Sequence, residues 1–270
     1  MKKFISILLF VASLWALPAS AAIALYGSVQ TAWDTGAGTS TVTLPGSGVL
    51  AANTIFFLQT VIMNSGSPGT TTPATWNTFT NSSQNCGVGG MALFYKIYNA
   101  GQTPPSTVVV SFADSGNTHQ GVIATAYTGV NTSTPIDVTG TPTCSSVSAA
   151  TITAPSVTTT VNGDQILYFY QIGCGCDVGA SASFSVGTGT IQGQLTRSIT
   201  GAEGYAAYAD HNQASSGATG TNALTWSSGN NEQPLTGMTV AIEPALALNG
   251  SQFSQPAVIR NENEELVLLK

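Results

Sequence analysis

Between residues 22 and 245 the chain never sustains the apolar i, i+3, i+4 repeat of an amphipathic helix. It carries instead short runs of β-branched and aromatic residues. Clusters of Gly, Pro, Asn and Ser cut these about every ten residues, the pattern of a β-sandwich or barrel. The runs that read as strands are 54–63, 91–98, 107–112, 121–128, 165–171, 205–212, 222–226 and 237–243. Separators such as Ser65-Gly66-Ser67-Pro68-Gly69 and Ser227-Ser228-Gly229-Asn230-Asn231 end strands by turn chemistry.

The strand-like runs also repeat in order. Val42-Thr43-Leu44-Pro45 returns as Ile152-Thr153-Ala154-Pro155, Ile55-Phe56-Phe57-Leu58 as Ile166-Leu167-Tyr168-Phe169, and Gly90-Met91-Ala92 as Gly204-Tyr205-Ala206. Val110-Ser111-Phe112 returns as Leu224-Thr225-Trp226, and Gly121-Val122 as Gly237-Met238. Preserved order points to two diverged copies of one β-unit, about 22–130 and 131–245. The fold expected is an all-β antiparallel sandwich, jelly-roll-like, with each copy supplying four to five strands. Two separate sandwiches are the alternative.

Strand alternation then assigns faces. Met91, Leu93, Tyr95 and Ile97 align with Tyr205, Ala207, Ala209 and His211 as the core face, and Trp226 joins the core through its match to Phe112. Phe94, Lys96 and Tyr98 align with Tyr208, Asp210 and Asn212 as the outward face, and Tyr127 also points outward.

The two ends of the chain differ from this. Lys2 and Lys3, an apolar run from Phe4 to Leu17, and Pro18-Ala19-Ser20-Ala21 form a signal peptide over 1–21, with cleavage after Ala21. The run is shorter than the roughly 20 apolar residues of a membrane span, and no later stretch supplies one. The expected location is therefore the periplasm, the cell surface or the medium. Residues 246–270 read as a C-terminal tail, either docked or adding to a neighbour's sheet edge, which allows self-association. Without Lys2 and Lys3 the chain keeps four basic residues against twelve acidic ones, a net charge of −8. So few cations leave little to neutralise phosphates, and nucleic acid and anionic membranes are not expected partners.

Cys86, Cys144, Cys174 and Cys176 are an even set in an exported chain and predict two disulfides. A Cys174–Cys176 bridge across one residue would be strained, so one of the two is expected to pair with Cys86 and the other with Cys144. The spacing suits zinc poorly.

Catalytic signals are weak. His119 and His211 are the only histidines, there is no G-x-S-x-G elbow, and adjacent Asp210 and His211 point to opposite faces of a strand. The aspartates, among them Asp34, Asp114, Asp137, Asp164 and Asp177, fall mostly in turn sequences and single out no glycosidase pair. No cofactor is called for; loop carboxylates and carbonyls suit a structural calcium, although no D-x-D-x-D run specifies one. Sugar recognition uses exposed aromatic faces beside polar groups. On the face assignment above, the ligand-binding candidates are Phe94, Tyr98, Tyr127, Tyr208, Asp210 and Asn212, with Trp33 and Trp76 near loops.

The stretch Tyr127-Thr128-Gly129-Val130-Asn131-Thr132-Ser133-Thr134-Pro135-Ile136-Asp137 resembles a Y-x-G-V-x(4)-P-I-D junction between the halves of a β-sandwich module in bacterial secreted and surface proteins. Ala154-Pro155-Ser156-Val157 and Val240-Ala241-Ile242-Glu243-Pro244 are similar to the same module. The resemblance covers most of 26–245 and implies an extracellular, adhesin-like or phage-tail-like module, with no catalytic residues to carry over. The four cysteines and the charged tail depart from that pattern. The expected function is a secreted, non-catalytic module binding a surface glycan or matrix polymer. A structural or assembly protein of an envelope, filament or virion comes second, and a glycoside-acting hydrolase third.

Overall fold

The computed structural model describes residues 22–34, 38–63, 70–71, 73–79, 84–85, 89–112, 120–145, 147, 149–173, 183–199, 202–227, 235–246, 258–260 and 266–268. Residues 1–21, where a signal peptide is expected, Cys86, Cys174, Cys176, Asp114, Asp177, His119 and most of the tail lie outside them. Described residues contain strands and no helix.

The first half carries β1 (Ala24–Leu25), β2 (Gln30–Trp33), β3 (Thr39–Thr43), β4 (Thr54–Met63), β5 (Thr70–Thr71), β6 (Asn77–Thr78), β7 (Gln84–Asn85), β8 (Gly89–Tyr98), β9 (Thr107–Phe112) and β10 (Gln120–Thr128). The second carries β11 (Ile136–Thr139), β12 (Thr143–Ser145), β13 (Thr151–Ala154), β14 (Thr158–Thr159), β15 (Asp164–Gly173), β16 (Phe184–Val186), β17 (Thr190–Ile199), β18 (Ala202–Gln213), β19 (Gly217–Ala218), β20 (Asn222–Trp226) and β21 (Leu235–Ile242). These lie in one compact unit, Ala21–Ala245. By itself, the other unit's described part is an antiparallel pair, β22 (Val258–Arg260) with β23 (Leu266–Leu268).

Every pairing within the compact unit's named strands is antiparallel and stays within its half. The large sheet of the first half runs β1-β10-β4-β8-β6, with β2 also on β10 and β7 on β8; a small sheet runs β3-β9-β5. In the second half the large sheet runs β11-β21-β15-β18-β17, with β12 on β21, and a small one runs β13-β20-β16. The order β10-β4-β8 thus recurs as β21-β15-β18. A single jelly roll would mix the halves within its sheets, and among the described residues only an isolated bridge, Val130 to Pro244, crosses between them.

Burial explains the arrangement. Phe56, Leu58, Phe94, Val122 and Ala124 of the first large sheet pack against Val42, Val108 and Val110 of its small sheet. Its opposite face, with Ile55, Phe57, Met91, Leu93 and Tyr127, packs against Leu167, Phe169, Tyr208, Met238 and Val240 of the second large sheet. That sheet's other face buries Ile166, Tyr168, Tyr205 and Ala207 beneath Ile152, Leu224 and Trp226. The result is four layers, small-large-large-small. Central strands β4 and β15 bury both faces and therefore read as continuous apolar runs. An apolar sheet face left in water would cost roughly 25 cal/mol per Å², so each large sheet needs two covers.

This corrects the expected outward face. Phe94, Tyr127 and Tyr208 are fully buried and Asp210 is buried; Tyr98 is half-buried, and of the six only Asn212 is exposed. The aligned sets do not share a face either: Met91 and Leu93 meet the central interface, whereas Tyr205, Ala207 and Ala209 meet the outer core. A one-residue slip in alignment exchanges faces, and apolar residues on both faces hide the slip. Trp226 is in the core as expected, and Trp76 is buried too.

Candidate functional site

Edge strand β2 of the first large sheet and edge strand β17 of the second lie side by side where the two sheets stack. Glycines set the approach. A Cβ at Gly193 would fall 2.5 Å from Val29 Cγ1, and one at Gly121 would fall 2.5 Å from Leu195 Cδ2 and 2.8 Å from the Trp33 ring. Between them lies an open groove of about 670 Å³. Leu25, Val29, Ile191 and the half-buried ring of Phe184 supply its apolar walls. Ser28, Thr31, Gln192 and Gln194 supply hydroxyls and amides, and among the described residues no charged side chain lines it.

Behind the groove stands a buried polar group. The register of β17 on β18 shifts between Ile191 and Gly193, leaving Gln192 as the extra residue of a bulge. Bulges re-aim a side chain, and Gln192 Nε2 donates to Asp210 Oδ1 at 2.8 Å. The Tyr127 hydroxyl donates to Asp210 Oδ2, and the Tyr127 ring meets that of Tyr208 edge-on at 6.4 Å. Burial pushes the Asp210 carboxyl above its usual range; hydrogen bonds from Gln192 and Gln165 and the charge of His211 offset this only in part. Burial likewise raises Tyr208, helped by the Asp210 charge, so the phenol stays neutral.

Three of the sequence-predicted residues, Tyr127, Tyr208 and Asp210, thus come together as the support behind the groove. The other three do not join them. Phe94 is in the first outer core. Tyr98 packs edge-on against Phe56 at 5.4 Å and lies 5.1 Å beneath Lys96 Nζ. Asn212 Nδ2 donates to Gly163 O at 3.3 Å. His211 stacks on Tyr168 at 5.5 Å, away from the Tyr127–Asp210 bond, and burial lowers its pKa.

Sequence reasoning missed β17 and with it Gln192 and Gln194. The available signal was Gly193 between two glutamines, since an isolated glycine in a polar strand marks a bulge or a close approach. Cys144 is disulfide-bonded, with its partner outside the described residues. A second, smaller hollow of about 270 Å³ lies where Tyr26 meets the turns at Pro45–Gly48 and Thr103–Ser106. Gly46 presses on the Tyr26 ring there: a Cβ would reach 2.3 Å from Cε1. Among the described residues no group of three metal-ligating side chains converges. Compared with protein families, curated proteins and solved structures, the chain finds no match in any of the three.

Proposed function

We propose that this is a secreted, non-catalytic β-sandwich module, adhesin-like, that holds an uncharged glycan or matrix polymer in the groove between β2 and β17. The observation that carries the reading is the groove's lining, amides and hydroxyls beside an aromatic ring, with no charge among the described residues. A sugar presents apolar ring faces and many hydroxyls, and matches such a wall. Asp210 fixes the Gln192 amide, which leaves its Oε1 to accept from a ligand hydroxyl. The signal-like N-terminus and the Y-x-G-V-x(4)-P-I-D resemblance support the extracellular setting.

The test is binding of residues 22–270 to a panel of soluble glycans and insoluble polysaccharides, beside Gln194→Ala and Phe184→Ala variants. Each variant is expected to weaken binding roughly tenfold, about 1.4 kcal/mol. Gln194→Ala should leave thermal unfolding unchanged, whereas Phe184→Ala should also lower it, because that ring packs on Tyr205 and the outer core. Absent binding by the folded parent, or equal binding by both variants, refutes the reading. The assembly reading draws on the separate β22–β23 pair, and deleting residues 246–270 would then abolish self-association.

A further inference from the structure

The strand that follows the junction between the halves carries a second bulge. The register of β11 on β21 shifts between Ile136 and Val138, so Asp137 is the extra residue. Its carboxylate accepts from Thr160 N at 2.6 Å and from the Thr160 hydroxyl, tying β11 to the turn before β15. The turn that Asp137 holds runs straight into Asp164, the first residue of β15, and the two carboxyls act on each other there. Asp164 is fully buried, and neither of its oxygens receives a hydrogen bond from an amide or hydroxyl. Two acceptors in contact with no donor between them need a positive particle.

We propose that Asp137 and Asp164 share one proton, and that this proton latches the junction segment onto β15, so that alkaline conditions loosen it. Charged groups near the pair are few. Glu243, just after β21, is the other carboxylate that acts on Asp164, and is itself held by Asn131 and Thr134. Opposite on β18 stand Gln213 and Asn212, both neutral, and His211 beyond them lies across Ile166. Burial first, then the Asp137 contact and the charges of Asp137 and Glu243, raise Asp164 to about 8. Burial also acts to raise Asp137. The Thr160, Asp164 and Val161 hydrogen bonds outweigh it and hold Asp137 below its usual range, as the charged partner.

The sign follows. A carboxyl whose folded pKa lies above its unfolded value stabilises fully below about pH 4, and that stabilisation is lost as pH rises through about 8. Loss of the proton puts two charges side by side at the junction.

The experiment compares thermal unfolding of the full mature chain and its Asp164→Asn variant from pH 5 to pH 9.5, with amide exchange at Val138 and Thr160. An Asn amide supplies the missing donor at every pH. The parent is expected to lose roughly 5 °C or more relative to the variant across this range, and its Val138 and Thr160 exchange to quicken beyond the intrinsic rise. Parallel curves overturn the proposal. If the variant fails to fold, carboxyl-carbon NMR of Asp164 in the parent decides, and titration near pH 4 overturns it. Calcium that restores the parent's stability at pH 9.5 also overturns it, by making the pair a cation site.

Discussion

Tyr127 on β10 and Asp210 on β18 meet across the central interface, hydroxyl to carboxylate at 2.5 Å. The bond joins the two halves and also fixes, through Gln192, one wall of the groove. Tyr127→Phe removes the donor and leaves a buried carboxylate short of a partner, at a cost of about 1–3 kcal/mol in denaturant unfolding. The Asp210 pKa is raised, so its contribution is greatest at low pH and is lost as pH rises. The variant's deficit is therefore expected to be larger at pH 8 than at pH 4. Equal deficits would mean that the carboxylate is not the cause.

Gln59 and Gln171 make a reciprocal pair of contacts between the large sheets. Gln59 Nε2 donates to Tyr170 O at 2.8 Å, and Gln171 Nε2 donates to Ile62 O at 2.6 Å. Either Gln→Leu change is expected to cost about 1–2 kcal/mol. The double variant should cost less than the sum, because the second sheet contact is already loosened when the first is cut. A double-mutant cycle reads this directly.

Gly193→Ala is expected to separate stability from binding. Its Cβ needs the space of Val29 Cγ1, so β17 must move from β2 where the ligand would sit. Overpacking of this kind costs about 1–3 kcal/mol. Binding should fall further than that stability loss accounts for, and a variant that binds as its parent does would place the ligand elsewhere.

Gly129 has φ +80°, and an added Cβ would stand 2.5 Å from the Ala22 carbonyl oxygen. Gly129→Ala therefore combines backbone strain, about 1–3 kcal/mol, with displacement of the chain just before β1. Limited proteolysis of the first strands should quicken.

Strand positions were legible in the sequence wherever turn residues bounded an apolar run. The spans of β4, β9 and β20 agree with it to the residue. Facing was not legible. Alternation reports a face only when one side of a strand meets water, and β4, β10, β15 and β21 bury both. Tyr127 and Tyr208 therefore looked like surface aromatics although each lies between two sheets. The groove was hidden for the opposite reason: β17, with Gln192, Gly193, Gln194 and Arg197, is too polar to resemble a strand beside its apolar neighbours. Asp137 and Asp164 looked like turn residues, and only the register shift in β11 and the Thr160 bonds show Asp137 anchoring the turn that leads into Asp164.

The confinement of each sheet to one half has a consequence for how the molecule is made. A chain growing from its N-terminus can complete the first two layers by residue 128, with Ile55, Phe57, Met91 and Leu93 still uncovered. They stay open until Leu167, Phe169 and Met238 arrive. A second molecule's C-terminal half offers the same cover, so at high concentration the halves can exchange between chains. The short segment between Val130 and Ile136 is the covalent link that such an exchange would have to open.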